Sequence, residues 1–217
     1  MANKKIRTEK RIRIIDAAIQ VFAAKGYRSA RVSDIAAEAG VADGTIYLYF
    51  RNKEDLLLSV FEEKMDVHLA ELAKALVGVE GATNRIRAFA KHHFLQLKTH
   101  PAVAKVFQVE LRLSHRFTHD YRPEKLWSYL GVMGELVRQG QEEGVIRKDV
   151  DPFLIQWAFF GAIDELCIQW IVGQQTREFD IDRASEEIVE IFLRGLAPLD
   201  SRDQAESVSS QNLGGHA

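Results

Sequence analysis

SARVSDIAAEAGVADGTIYLYF, residues 29–50 of a 217-residue chain, is the stretch whose reading decides the fold. Val32, Ile35, Ala36 and Ala39 recur at helical spacing, and Gly40 then offers the left-handed conformation in which helices often end. Val41 restarts the apolar pattern, and Ile46 and Phe50, four apart, give a second helix its buried stripe. Thr45, Tyr47, Leu48 and Tyr49 are left on or near the free face. Two short helices joined by a glycine-containing turn form a helix-turn-helix, whose second helix lies in the major groove of DNA.

Toward the N-terminus, Ile14, Ile15, Ala18, Val21 and Phe22 trace another helical stripe, ended by Gly26. Residues 1–13 carry Lys4, Lys5, Arg7, Lys10, Arg11 and Arg13 against Glu9 alone, which reads as a basic flexible arm. Such a run is either simply solvated or laid along phosphates or in the minor groove. The whole-chain charge of −2 hides an asymmetry: 11 Lys/Arg and 7 Asp/Glu through Asp55, then 18 and 24 beyond it. A basic first quarter on an acidic body fits one surface made for phosphates.

The run from Ile14 to Leu57 resembles the DNA-binding domain of the TetR family of bacterial repressors. The likeness is carried by Ala17, Phe22, Gly26 and Tyr27, by Ile35 and Ala36, by Gly40 through Phe50, and by Asn52 through Leu56. It implies a helix-turn-helix domain over 14–55. The implied DNA face takes in Arg31, Ser33, Asp43, Gly44, Thr45, Tyr47, Leu48, Tyr49 and Lys53. Arg31 stands where many members carry Ser or Thr, exchanging a helix cap for a phosphate contact. Asp43 is expected to cap the recognition helix, since a bare carboxylate facing DNA is repelled unless it accepts from a cytosine amino group. Thr45 and Leu48 are the expected base readers, Leu48 against a thymine methyl group. Tyr47 and Tyr49 can present hydroxyls to phosphates, and Lys53 is expected on a phosphate.

Leu56, Leu57, Val60, Phe61, Met65 and Leu69 continue an apolar stripe through a helix from about Lys53 to Leu76. From Thr83 to Leu196 the pattern is helical, in segments near 83–98, 101–117, 123–143, 151–173 and 181–196. The expected fold is therefore all-α, with a ligand-binding and dimerisation domain over 56–199 and a disordered tail over 200–217. Phe153–Val172 is apolar almost all the way round, so one stripe should face its own core and the other a second subunit. A homodimer of the family type follows, with a palindromic operator.

The resemblance also implies a small-molecule cavity in this body. Candidate linings are Phe89, Phe94, Leu97, Val106, Phe107 and Leu111, with Trp127, Leu130, Met133 and Phe160 on facing helices. Residues at this spacing serve as readily as plain core. The strings QVELRLS (108–114) and FGAIDE (160–165) are similar to the branch of the family that represses fatty-acid degradation and answers to long-chain acyl-CoA. Such an effector needs an apolar tunnel for its tail and cations for its phosphates. Gln108 and Arg112 lie on a helix with an apolar face, and Arg116, Arg122 and Lys125 form a basic cluster beyond it. Arg112 is also open to an ion pair with Glu110, Asp164 or Glu165. Two alternatives stay open: a repressor answering to a lipophilic or cationic drug, and an acyl-CoA-binding enzyme or carrier.

Other classes are disfavoured by what is present. The single Cys167 excludes an intramolecular disulfide and fits a reducing cytoplasm, and the basic N-terminus has no signal-peptide core. Phe153–Val172 approaches membrane-span length, but Asp164 and Glu165 cost about 2.5–3.5 kcal/mol each on insertion scales, which makes it a buried helix of a soluble protein. His115 and His119 have metal-ligand spacing without a firm third ligand, so no metal is expected. No nucleophile elbow, HExxH, phosphate loop or dinucleotide fingerprint occurs, so neither catalysis nor a cofactor is expected.

Overall fold

A computed structural model of the chain describes residues 2–113, 119–172 and 180–198. Among these residues the regular structure is entirely helical. The helices are α1 (Ala2–Lys25), α2 (Val32–Ala39), α3 (Asp43–Ile46), α4 (Lys53–Leu76), α5 (Ala82–Thr99), α6 (Pro101–Lys105), α7 (Glu124–Glu142), α8 (Pro152–Val172) and α9 (Ile181–Leu196). α6 runs on into a π turn, Val106–Glu110, and a 3-10 turn, Leu111–Leu113. Arg116, His115 and the tail over 200–217 lie outside the described residues.

The first three helices and the start of α4 close over one core, in which Ile14, Ala18, Phe22, Ile35, Ile46 and Phe50 are sealed from solvent. Gly40, at φ +62°, ends α2 as the spacing predicts. Its N–H donates to Ala37 O at 3.1 Å and that of Val41 to Ala36 O at 3.0 Å, the two bonds of a Schellman motif. At the other end of α2, Asp34 accepts from the Arg31 N–H at 2.9 Å. A guanidinium has no acceptor with which to return the bond, so only half of a capping box exists. Lys25 reaches Asp34 at 2.8 Å, and its hydrogen bond, with that from Arg31, holds the carboxyl below its ordinary range.

Three local expectations are corrected. The recognition helix is regular only over Asp43–Ile46; it then tightens, with Leu48 N–H on Thr45 O at 3.2 Å and Tyr49 N–H on Ile46 O at 3.0 Å. Its N-cap is Ala42, whose side chain caps nothing, so Asp43 occupies the first helical position instead of capping the helix. The basic N-terminal run is helical from Ala2 onward, as an extension of α1. Arg11 pairs with Glu63 of α4 and stands 5.2 Å from the Phe50 ring, which ties this extension to the domain behind it.

α4 is one continuous 24-residue helix, about 36 Å long at 1.5 Å per residue. Its first turns bury Leu56, Leu57 and Val60 in the front core, and its later turns bury Leu72 and Leu76 in the rear. Behind it α5, α7, α8 and α9 pack around Phe89, Phe94, Tyr129, Met133, Phe159 and Ile163. The segment expected as a single helix over 101–117 instead loosens after Lys105. The π winding sets Val106, Glu110 and Leu111 all on its buried side. This segment packs against α1 as well as the rear helices. No helix among the described residues is long and apolar enough to cross a membrane.

Candidate functional site: a groove-reading face and a cavity

The face around α3 leaves its key side chains outside. Tyr47 is 56% exposed and Leu48 72%, a large outlay of apolar surface beside Ile46 and Phe50, which are sealed. Arg31, Ser33, Asp43 and Gly44 are exposed beside them and Thr45 is half-buried, so these residues form one surface. Tyr49 is half-buried, with the Arg7 guanidinium 5.9 Å from its ring.

Lys53 belongs to a different layer. Its ammonium turns inward and donates to the carbonyls of Tyr27 (2.8 Å), Ala30 (2.9 Å) and Arg28 (3.3 Å). It also lies 4.7 Å from the centre of the Tyr27 ring. All three of its protons are engaged, so the residue expected on a phosphate instead fastens the α1–α2 turn to the start of α4.

In the rear body a cavity of about 600 Å³ opens between α4, α5, the π segment, α7 and α8. Phe61, Met65, Leu97, Phe107, Leu111 and Phe160 supply apolar wall. Arg112 lines it with a half-exposed guanidinium, paired with the buried Asp164 and 3.4 Å from Gln108 Oε1. Burial raises the Asp164 carboxyl and Arg112 opposes that shift. Opposite stands a cluster of neutral hydrogen-bonding groups. His93 Nδ1 and the Tyr129 hydroxyl are 2.8 Å apart, and the His68 ring lies 4.8 Å from that of Tyr129. Burial pushes His68 down to about 3 and His93 to about 4, so both imidazoles are uncharged. It also pushes the Cys167 thiol, another lining group, up to about 12.

Of the residues expected in a ligand site, Leu97, Phe107, Gln108, Leu111, Arg112 and Phe160 line this cavity. Phe89, Phe94, Val106, Leu130 and Met133 are packed core away from its walls. Trp127 and Arg122 are exposed and do not line it. Lys125 is drawn to α4, where its ammonium lies 2.9 Å from Glu62 Oε2 and 2.5 Å from Asp66. Burial opposes the proton on Lys125, but those carboxylates outweigh it and raise the group. The cluster of cations imagined beyond Arg112 is therefore not assembled from Arg122 and Lys125. His68, His93, Tyr129 and Trp157 were not anticipated as lining. Their signal was weak, because each becomes a wall only when three helices converge.

The sequence offers Glu110 as one possible partner of Arg112. It points the other way. Its carboxylate is 5% exposed and accepts from the Tyr27 N–H at 2.6 Å, joining the cavity segment to the front domain. A carboxylate amid the apolar string VFQVEL was the available hint.

Comparison with known proteins agrees with this two-part layout. Residues 14–60 match the family described as bacterial regulatory proteins, tetR family, and residues 61–195 match the YsiA-like protein, C-terminal region. The fatty acid metabolism regulator protein of Bacillus subtilis is 35% identical over 192 residues, covering 88% of this chain and 98% of that protein. The transcriptional regulator FadR from Bacillus subtilis, solved in complex with stearoyl-CoA, superposes with a TM-score of 0.78 at 35% identity, over 85% of this chain and 98% of that one. The fatty acid degradation regulator FadR from Bacillus halodurans gives 0.75 at 36% identity, again over 85% and 98%.

Proposed function

The chain belongs to the TetR family of bacterial regulatory proteins, and on that premise we propose that it is a homodimeric repressor of fatty-acid degradation, released from its operator by long-chain acyl-CoA. One observation carries the effector: the cavity, with apolar walls for a tail and the Arg112 guanidinium for an anionic group. Its support from outside the chain is the relative that holds stearoyl-CoA.

On the DNA side, Leu48 and Thr45 read base edges while Tyr47, Ser33 and Arg31 hold phosphates and fix the register. Asp43, free of a capping role, accepts from a cytosine amino group. The dimer forms through α8 and α9, where Phe153, Leu154, Trp157 and Ile191 are left uncovered on one subunit. Two copies then present two recognition helices to a palindromic site in the cytoplasm. On this reading the chain is a binding switch and not an enzyme, which the regulator name of its relative supports. Release by about 100-fold takes roughly 2.7 kcal/mol of coupling, which is within the usual allosteric range.

A drug-responsive repressor is the second reading, and Asp164 is the group that a cationic drug would seek. Arg112 already answers that carboxylate, which disfavours it. Gel retardation of operator DNA against stearoyl-CoA, free stearate and a lipophilic cation separates the readings. Release by the acyl-CoA at the lowest concentration is expected; release by the cation alone overturns the proposal.

A further inference from the structure

The buried carboxylate of Glu110 has no part in gripping DNA or lining the cavity. It sits between the two. Phe107, Gln108, Leu111 and Arg112, on either side of it in sequence, line the cavity, while its own oxygen holds the first amide beyond Gly26 in the α1–α2 turn. We propose that Glu110 is the coupling residue of this switch, a latch whose hydrogen bond to Tyr27 sets the pose of the reading helices and is withdrawn when the cavity fills.

Three features make the contact a two-position device. First, the turn it holds is also fastened from the α4 side, by Lys53 on the carbonyls of Tyr27, Arg28 and Ala30. Glu110 and Lys53 thus grip one turn from opposite partners, and α2 and α3 hang from that turn. Second, the carboxylate is held against opposing terms. It is buried, and it stands at the C-terminal end of α1, the pole at which a helix disfavours negative charge. The bond to the Tyr27 N–H gives the buried carboxylate a partner, and a displacement that breaks it leaves a buried polar group unmet. Third, Glu110 closes a π turn, which is wound one residue looser than an α turn. Pressure on Phe107 and Gln108 that rewinds it to α geometry carries Glu110 around the helix axis by about 100°, away from Tyr27.

The inference rests on the acyl-CoA reading above, and the test keeps the two apart. Wild type, Glu110→Gln and Glu110→Ala are each measured for operator affinity alone, stearoyl-CoA affinity alone, and the factor by which saturating stearoyl-CoA weakens operator binding. Glu110→Ala should bind stearoyl-CoA within about two-fold of wild type while the coupling factor drops by roughly ten-fold or more. Glu110→Gln, which keeps an acceptor oxygen, should fall between. Hydrogen exchange on the wild-type protein supplies a reading that needs no variant: the Tyr27 amide should be protected without stearoyl-CoA and exchange faster with it. An unchanged coupling factor in Glu110→Ala, or a Tyr27 amide indifferent to bound stearoyl-CoA, overturns the latch and leaves the functional reading standing. A wild-type chain that binds no stearoyl-CoA sinks the functional reading itself, and the latch falls with it.

Discussion

The two ends of α4 treat polar groups in opposite ways. In the front domain the polar groups at the helix ends are answered within the chain: Lys53 by three carbonyls, Asp34 by Lys25 and an amide, Asn52 by the Asp55 N–H at 2.8 Å. The groups with a task face outward. In the rear body the groups with a task are gathered inward, and burial drives His68, His93, Asp164, Cys167 and Tyr129 toward their neutral forms. A reader of a large rigid polyanion can be finished in advance, with its contacts on a surface. A receptor for a small apolar molecule must enclose it, so its polar groups accept desolvation, which favours their neutral forms.

Substitutions test that contrast, beginning where the effect is largest. Leu154→Glu changes a side chain that is 62% exposed on the subunit, so folding should persist. If α8 is the dimer face, operator affinity drops by roughly 10²–10⁴ as bivalent binding is lost. Sedimentation velocity should show monomers; a dimer with full affinity moves the interface elsewhere. Lys53→Met strips three carbonyls of their donor and should cost about 2–3 kcal/mol of stability in urea unfolding. If it lowers DNA affinity alone, with stability intact, Lys53 is a phosphate contact after all and the contrast weakens.

The rear body predicts a pH dependence of its own. Both histidines hold folded pKa values below their ordinary 6.5, so between pH 6.5 and about 4 the unfolded chain binds protons that the fold refuses. Stability should fall with falling pH by about 1.4 kcal/mol per unit for each histidine. Asp164, raised by burial, contributes the opposite slope at the acid end. Denaturation midpoints at several pH values, compared with a His68→Gln, His93→Gln double variant, check this; identical slopes would remove the two imidazoles from the account. The smallest effect is expected from Leu48→Ala, which should leave folding within about 0.5 kcal/mol and cost about 1 kcal/mol of operator binding, concentrated at one base pair. An equal loss across all sequences would make Leu48 a general contact.

The front domain was legible because it is local. Gly40, Ile46 and Phe50 state their positions within one or two helical turns, and the structure places them as the spacing demands. Where the structure differs there, it differs in direction: Lys53 points in rather than out, and Asp43 begins the helix rather than preceding it. The rear was harder. Phe89 and Phe107 carry the same apolar signal, yet one is core and the other wall. Arg122, Lys125 and Arg112 carry the same charge, yet only Arg112 meets the cavity.

From the sequence alone came the all-helical class, the helix-turn-helix and its outward tyrosine and leucine, and the family resemblance. The first two rest on periodicity and on contacts made within a few turns of chain, and the resemblance on matching residues such as Gly40 through Phe50. Only the tertiary structure decided which apolar faces leave a space between them, which charges are consumed by neighbours, and that Glu110 reaches across 83 residues to Tyr27. Helical periodicity says which side of a helix is buried, but not against what, and a cavity is a property of the partners a face meets.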